Sequence, residues 1–150
     1  MSLAQRVEIE SSGVINAPVA KIWDLVRDFH NVSRWHPDVA ESRIESGSGR
    51  EAGAVRAIRL RNGMALREQL RAISSDDHFY KYSVIESPLP IRAHESVVRL
   101  AGRGPSQTEV TWTAQFEVTQ GDPSSLAASV NAGVIDLGIE GLRRAAEEMG

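Results

Sequence analysis

The sequence has no cysteine. That removes disulfide frameworks, thiolate zinc sites and cysteine nucleophiles. It has no run of basic residues, and the formal net charge is -3, so a broad electrostatic face for nucleic acid is not expected. No apolar run approaches the ~20 residues of a membrane span, so membrane insertion is not expected either. Met1 to Arg6 lack the apolar core of a signal peptide, which makes the cytoplasm the expected compartment. Also missing are GxGxxG ahead of a helix, a Walker loop, HExxH and GxSxG. Gly102-Arg103-Gly104 lies between two strands and is no phosphate cradle. His30, His36, His78 and His94 fall on different elements without helical i, i+4 spacing. Neither a metal site nor a cofactor is expected.

What is present suits a small α+β domain. A chain of 150 residues that is 41% hydrophobic is expected to form one domain, 1–150, as a monomer or homodimer. Val7 and Ile9 alternate against Glu8 and Glu10, opening a strand over Val7 to Ile15. Asn16-Ala17-Pro18 starts a helix, with Val19, Ile22, Trp23 and Val26 on one stripe. Asn31 to Trp35 reads as a second short helix stopped by Pro37. From Val39 the period becomes two. Strands are expected over Val55 to Leu60, Leu66 to Ile73, Phe79 to Ile85, Ile91 to Leu100 and Glu109 to Val118. Ser46 to Gly49 with Gly53, Asn62-Gly63, Ser74 to Asp77, Ser87-Pro88-Leu89-Pro90 and Gly102 to Pro105 divide them. Gly121-Asp122-Pro123 then caps a helix that could run to Met149. Leu126, Val130, Val134, Leu137, Leu142, Ala145 and Met149 form its apolar face. Gly133, Gly138 and Gly141 each cost about 1 kcal/mol of helix propensity. Either something approaches this helix closely or room is left beside it.

One antiparallel sheet and one long helix bury each other only if the sheet curls around the helix. Alternation then assigns the inner face. Trp112 and Phe116 must point in, which puts the even positions inside on that strand. The same logic places Leu66, Glu68, Leu70 and Ala72 inside, then Tyr80, Tyr82 and Val84, then His94, Ser96, Val98 and Leu100, and earlier Arg56, Ile58 and Leu60. Arg56, Glu68, Tyr82, His94, Ser96 and Trp112 are too many polar groups for a solid core. They sit at a rim, or they face a partly wet cavity that holds something. Arg56 and Glu68 read equally well as an ion pair fixing strand register. His94 reads also as a satisfied core histidine, and Trp112 as wall.

The ordered set Ile15-Asn16-Ala17-Pro18 with Ile22-Trp23, Trp35-His36-Pro37, Gly53-Ala54-Val55-Arg56, Asn62-Gly63, Glu68-Gln69-Leu70, Tyr82 with Ser87-Pro88-Leu89-Pro90, and Thr108 to Trp112 resembles the START-like, or SRPBCC helix-grip, superfamily. That group includes polyketide cyclase/dehydrase-type bacterial proteins, plant abscisic-acid receptors and the birch-pollen allergen group. The resemblance implies a curved antiparallel sheet of about seven strands around a long C-terminal helix, with two short helices after strand one. It also implies a hydrophobic ligand between sheet and helix. In the receptor branch, positions matching Arg56, Ile58, Leu60, Glu68, Tyr82, His94 and Ser96 line that cavity. Loops matching Asn62-Gly63 and Ser87 to Arg92 gate it. The receptor latch His-Arg-Leu is absent here, so a hormone-receptor role is not implied.

Two functions follow. The first is binding of a small hydrophobic molecule with a polar or acidic end: a lipid, polyketide or aromatic metabolite. Ile58, Leu60, Tyr82, Ser96, Val98, Trp112 and Leu137 would wall it, and Arg56, Glu68 and His94 would orient its polar end. The second is a cyclase/dehydratase carrying out intramolecular aldol chemistry. It would use His94 or Glu68 as base and Arg56 or Tyr82 to stabilise the oxyanion. An interaction module would need an exposed apolar patch. The outward Arg67, Gln69, Arg71, Thr111, Thr113 and Gln115 argue against one on those strands.

Overall fold

The computed structural model describes residues 5–148. Strand β1 spans Gln5–Ile15 and is followed by helix α1, Val19–Val26. A 3-10 turn, Phe29–Asn31, leads into the single turn of α2, Val32–Trp35. Then come β2 (Val39–Ser46), β3 (Val55–Leu60), β4 (Ala65–Ser74), β5 (Phe79–Glu86), β6 (Ile91–Gly102) and β7 (Thr108–Val118). Among the described residues these form one antiparallel sheet of seven strands, ordered β1-β7-β6-β5-β4-β3-β2. The C-terminal helix follows in three parts: α3 (Pro123–Val130), a π-helical turn (Asn131–Asp136) and α4 (Leu137–Glu148). This is the helix-grip architecture, with both short helices after the first strand.

Strand β7 alternates without interruption. Every even residue from Thr108 to Val118 is buried, and every odd one is partly exposed. Elsewhere the sheet slips register, and each slip lets it bend. In β4 the pairs Glu68–Val84 and Leu70–Tyr82 are followed, after a slip, by Ile73–Tyr80. Ile73 therefore packs against the core, where alternation alone had placed Ala72. In β6 the irregularity falls between Arg92 and Glu95, with Ala93 at a φ of 53°.

The start of the C-terminal helix is as expected. The Asp122 carboxylate accepts from the Ser125 N–H at 3.2 Å, and Pro123 occupies the first helical position. Its middle is not. The π turn inserts one residue into the helical repeat, so the step from one buried position to the next becomes five. Leu126 and Val130 pack against Val7, Phe116 and Val118. Within the turn Ile135 is buried, and beyond it Gly138, Ile139, Gly141, Leu142 and Ala146 are. Val134 and Leu137, expected on the inward face, are instead 37% and 36% exposed. Ala145 packs only partly on the core, and Met149 lies outside the described residues.

The three helical glycines divide by position. A Cβ on Gly141 would stand 2.1 Å from the Trp35 carbonyl oxygen and 2.5 Å from Pro37 Cδ. One on Gly138 would stand 2.5 Å from Trp112 Cζ3 and 2.9 Å from His36 Cδ2. Here the helix lies directly on the Trp35-His36-Pro37 segment. A Cβ on Gly133 would meet nothing within 4 Å. Close approach and spare room thus occur on the same helix, less than two turns apart.

Candidate binding cavity

The spare room opens into a cavity of about 80 Å³ between the inner sheet face and the π turn. Its apolar wall includes Ile58, Leu60, Leu66, Trp112 and Phe116 from the strands, and Val130, Val134 and Ile135 from the helix. Ser87 and Leu89 contribute from the segment joining β5 to β6, and Ile91 from the first position of β6. Arg56, Glu68, Tyr82, His94 and Ser96 also line it, together with His36 and Asp38. Most of the residues singled out in the sequence therefore meet around one space. Two do not. Val98 is fully buried between Tyr80 and Trp112 in the sheet register and belongs to the packed core. Leu137 is turned outward by the extra residue of the π turn.

Arg56 and Glu68 are cross-strand partners on β3 and β4, both buried, with 3% and 5% of their surface exposed. The guanidinium meets Glu68 Oε1 twice, from Nε at 2.9 Å and from Nη2 at 2.7 Å. Nη1 donates to the Phe29 carbonyl at 2.5 Å, and the Phe29 ring covers the guanidinium at 3.7 Å. Burial, the largest single effect, works against the charge on Arg56, but Glu68 together with Tyr80 and Tyr82 outweighs it and raises the arginine pKa. The pair fixes register and also faces the cavity, so the two readings of it coexist.

His94 is held at both ring nitrogens. The Val84 N–H donates to Nδ1 at 3.0 Å, which places the proton on Nε2, 3.0 Å from Ser96 Oγ. Burial lowers its pKa, and protonating Nδ1 would orphan the Val84 N–H. The one lone pair of the neutral ring is therefore occupied. In this arrangement His94 is a hydrogen-bond donor and offers no base to the cavity. Burial also keeps the tyrosines neutral. Tyr80 is pushed up to about 12, and Tyr82 is raised well beyond the usual phenol range, with Glu68 adding to the effect.

His36 was not singled out as a site residue. Its Nδ1 accepts from the Asp38 N–H at 3.2 Å, so Nε2 carries the proton and donates to the Val134 carbonyl at 2.8 Å. That carbonyl lies within the π turn, where the usual helical pairing is disturbed. Burial lowers the His36 pKa, against the opposing pull of the Val134 bond. The signal in the sequence was indirect: Trp-His-Pro before the sheet and two glycines on the helix that must lie upon it.

A sheet curled around a C-terminal helix, with a cavity under the helix, defines a START-like, helix-grip protein. The model of the polyketide cyclase / dehydrase and lipid transport family matches residues 6–147, and the chain belongs to that family. It is similar to the abscisic acid receptor PYL6 of Arabidopsis thaliana, 23% identical over 141 residues. That match covers 89% of this chain and 66% of the receptor, just under two thirds of the relative's length. Among solved structures it is similar to the protein XoxI from Bacillus cereus, with a TM-score of 0.84 and 21% identity over 95% of this chain and 97% of that one. A START superfamily protein from Mycobacterium smegmatis superposes with a TM-score of 0.81 at 13% identity, covering 95% and 99%. Likeness at these identities is likeness of fold.

Proposed function

We propose that this chain binds a small, largely apolar molecule with one polar end, of lipid, polyketide or aromatic kind, in the cavity beneath the π turn. The observation that carries this is an apolar wall against which the polar groups of Arg56, Glu68, Tyr82, His94 and Ser96 are gathered from neighbouring strands. Ligand sites are usually about 300–1,000 Å³, and a dry cavity of about 150 Å³ admits benzene. At about 80 Å³ this one is narrower than a single ring. A guest therefore enters by displacing part of the wall. The segment Ser87 to Pro90, which bears two lining residues and joins two strands, is the part to move.

Native mass spectrometry of freshly purified protein, with displacement of an environment-sensitive dye, tests this. A retained guest, or saturable displacement by apolar compounds, is the expected result. An empty protein that binds neither dye nor apolar compound refutes it. The second reading, aldol cyclisation or dehydration, takes its support from the family's description. With the His94 lone pair engaged, Glu68 is the group left to act as base. Glu68→Gln should then abolish turnover of a ring-closing substrate while binding persists. Unchanged turnover removes the assignment.

A further inference from the structure

The polar end of the guest can be specified further, on the footing of the binding role just proposed. We infer that it is an uncharged group that both donates and accepts a hydrogen bond, an alcohol or phenol, and that it is neither a carboxylate nor an ammonium. The charges around the cavity come first. Its lining carries one cation, Arg56, and two carboxylates, Glu68 and Asp38. Both lining histidines are neutral, since each accepts a backbone N–H at Nδ1. Arg56 is already spent on Glu68, on the Phe29 carbonyl and beneath the Phe29 ring. A carboxylate guest would find no free cation and a second carboxylate in the wall, and it would lose its hydration on entry.

The unmet hydrogen-bonding capacity comes second. Both guanidinium contacts to Glu68 go to Oε1, which leaves Oε2 as an acceptor. Trp112 lines the same cavity, is 2% exposed, and its indole Nε1–H is buried without a partner. A buried donor in that condition is costly, and a guest can relieve it. An ammonium can only donate, so it would serve Glu68 and leave the indole unpaired. A carbonyl or ether can only accept. A hydroxyl has the capacity for both, a proton to give the carboxylate and a lone pair to receive the indole N–H.

Four guests with one ring test this: cyclohexanol, cyclohexanecarboxylate, cyclohexylammonium and methylcyclohexane. Each is titrated into the full chain, and the tryptophan indole N–H resonances are followed by NMR. Cyclohexanol should bind about tenfold tighter than either ion and move the Trp112 indole resonance downfield. Methylcyclohexane should bind without that shift. Trp112→Phe should weaken cyclohexanol two- to tenfold relative to methylcyclohexane, whose own change in affinity reads the altered shape of the wall. Glu68→Gln, which frees the Arg56 charge, should reverse the order of alcohol and carboxylate. If that variant does not fold, the wild-type series and Trp112→Phe decide. A carboxylate or ammonium that matches or exceeds the alcohol in the wild type overturns the inference and leaves the binding role standing. Failure of all four guests overturns the binding role and the inference with it.

Discussion

Replacing Gly141 with alanine should unfold this protein more easily, although alanine is the better helix former. The helix itself would gain about 1 kcal/mol from the change. Against that, the new Cβ would lie 2.1 Å from a backbone carbonyl oxygen and 2.5 Å from a proline ring. Overpacking costs about 1–3 kcal/mol where side chains can swing aside. Neither neighbour here has a rotamer to change. Helix α4 must instead retreat by about 1 Å, and a gap of that size forfeits a quarter to a half of the dispersion attraction across it. That loss would fall on Ile139, Leu142 and Ala146, which pack beside the glycine. The cost therefore belongs at or above the upper end, and the net loss should be about 2 kcal/mol, or about 4–8 °C in Tm. Gly133→Ala is the internal control, because nothing stands within 4 Å of its Cβ. It should raise stability by up to about 1 kcal/mol. Urea denaturation of the three proteins, compared at equal m-values, reads the difference. Equal stability of the two variants would show that helix and loop do not touch as described.

Two further outcomes follow from the buried charges and rings. Arg56→Met alone should cost about 3–5 kcal/mol in urea unfolding, because it strands the Glu68 carboxylate; adding Glu68→Leu should recover most of the loss. Failure of the second change to rescue the first would show that the pair is not a closed unit. The histidines set a pH dependence. His36 and His94 have folded pKa values below the unfolded value, about 6.5. As the pH falls through 6.5 the unfolded chain takes up protons first, so the stability present above that pH is lost progressively down to the folded values. Each ring contributes a slope of up to about 1.4 kcal/mol per pH unit in that window. Urea midpoints that stay flat from pH 7 to 5 would contradict the buried, neutral assignment of both rings.

The parts of this fold visible in the sequence are those governed by local rules. Strand β3 has the expected bounds because Gly53 and Asn62-Gly63 punctuate it, and β7 has a strict period of two. Asp122-Pro123 is a self-contained cap. Arg56, Glu68, Tyr82, His94 and Ser96 were assigned one face by alternation, and they line one cavity. What alternation cannot supply is a change of count. The slip between Leu70 and Ala72 exchanges Ala72 for Ile73, and the π turn exchanges Val134 and Leu137 for Ile135 and Ile139. Both are single-residue insertions whose location is set by packing against the opposite layer. The roles of the two histidines were hidden for a related reason, since each tautomer depends on a backbone N–H that only the folded chain presents.

The cavity itself follows from how the helix is pinned. At its C-terminal half, Gly138 and Gly141 draw it onto the Trp35-His36-Pro37 segment and the edge of Trp112. At its N-terminal half, Leu126 and Val130 seat it on Val7, Phe116 and Val118. Both ends are held against the sheet, and the π turn between them adds the extra residue that reconciles the two attachments. At that point a glycine, Gly133, faces open space, and the wall opposite sets paired or hydrogen-bonded polar groups among its apolar side chains. His36 locks the arrangement by donating to the Val134 carbonyl. Removing the extra residue would restore the ordinary helical repeat, with Ile135 four residues after Val130, and draw the helix backbone towards the place the gap now occupies. Deleting Gly133 should therefore keep Ile135, Ile139, Leu142 and Ala146 as the buried set and abolish guest binding while leaving the sheet intact. Persistence of binding in that deletion, with the sheet amide resonances unchanged, would show that the π turn does not create the space.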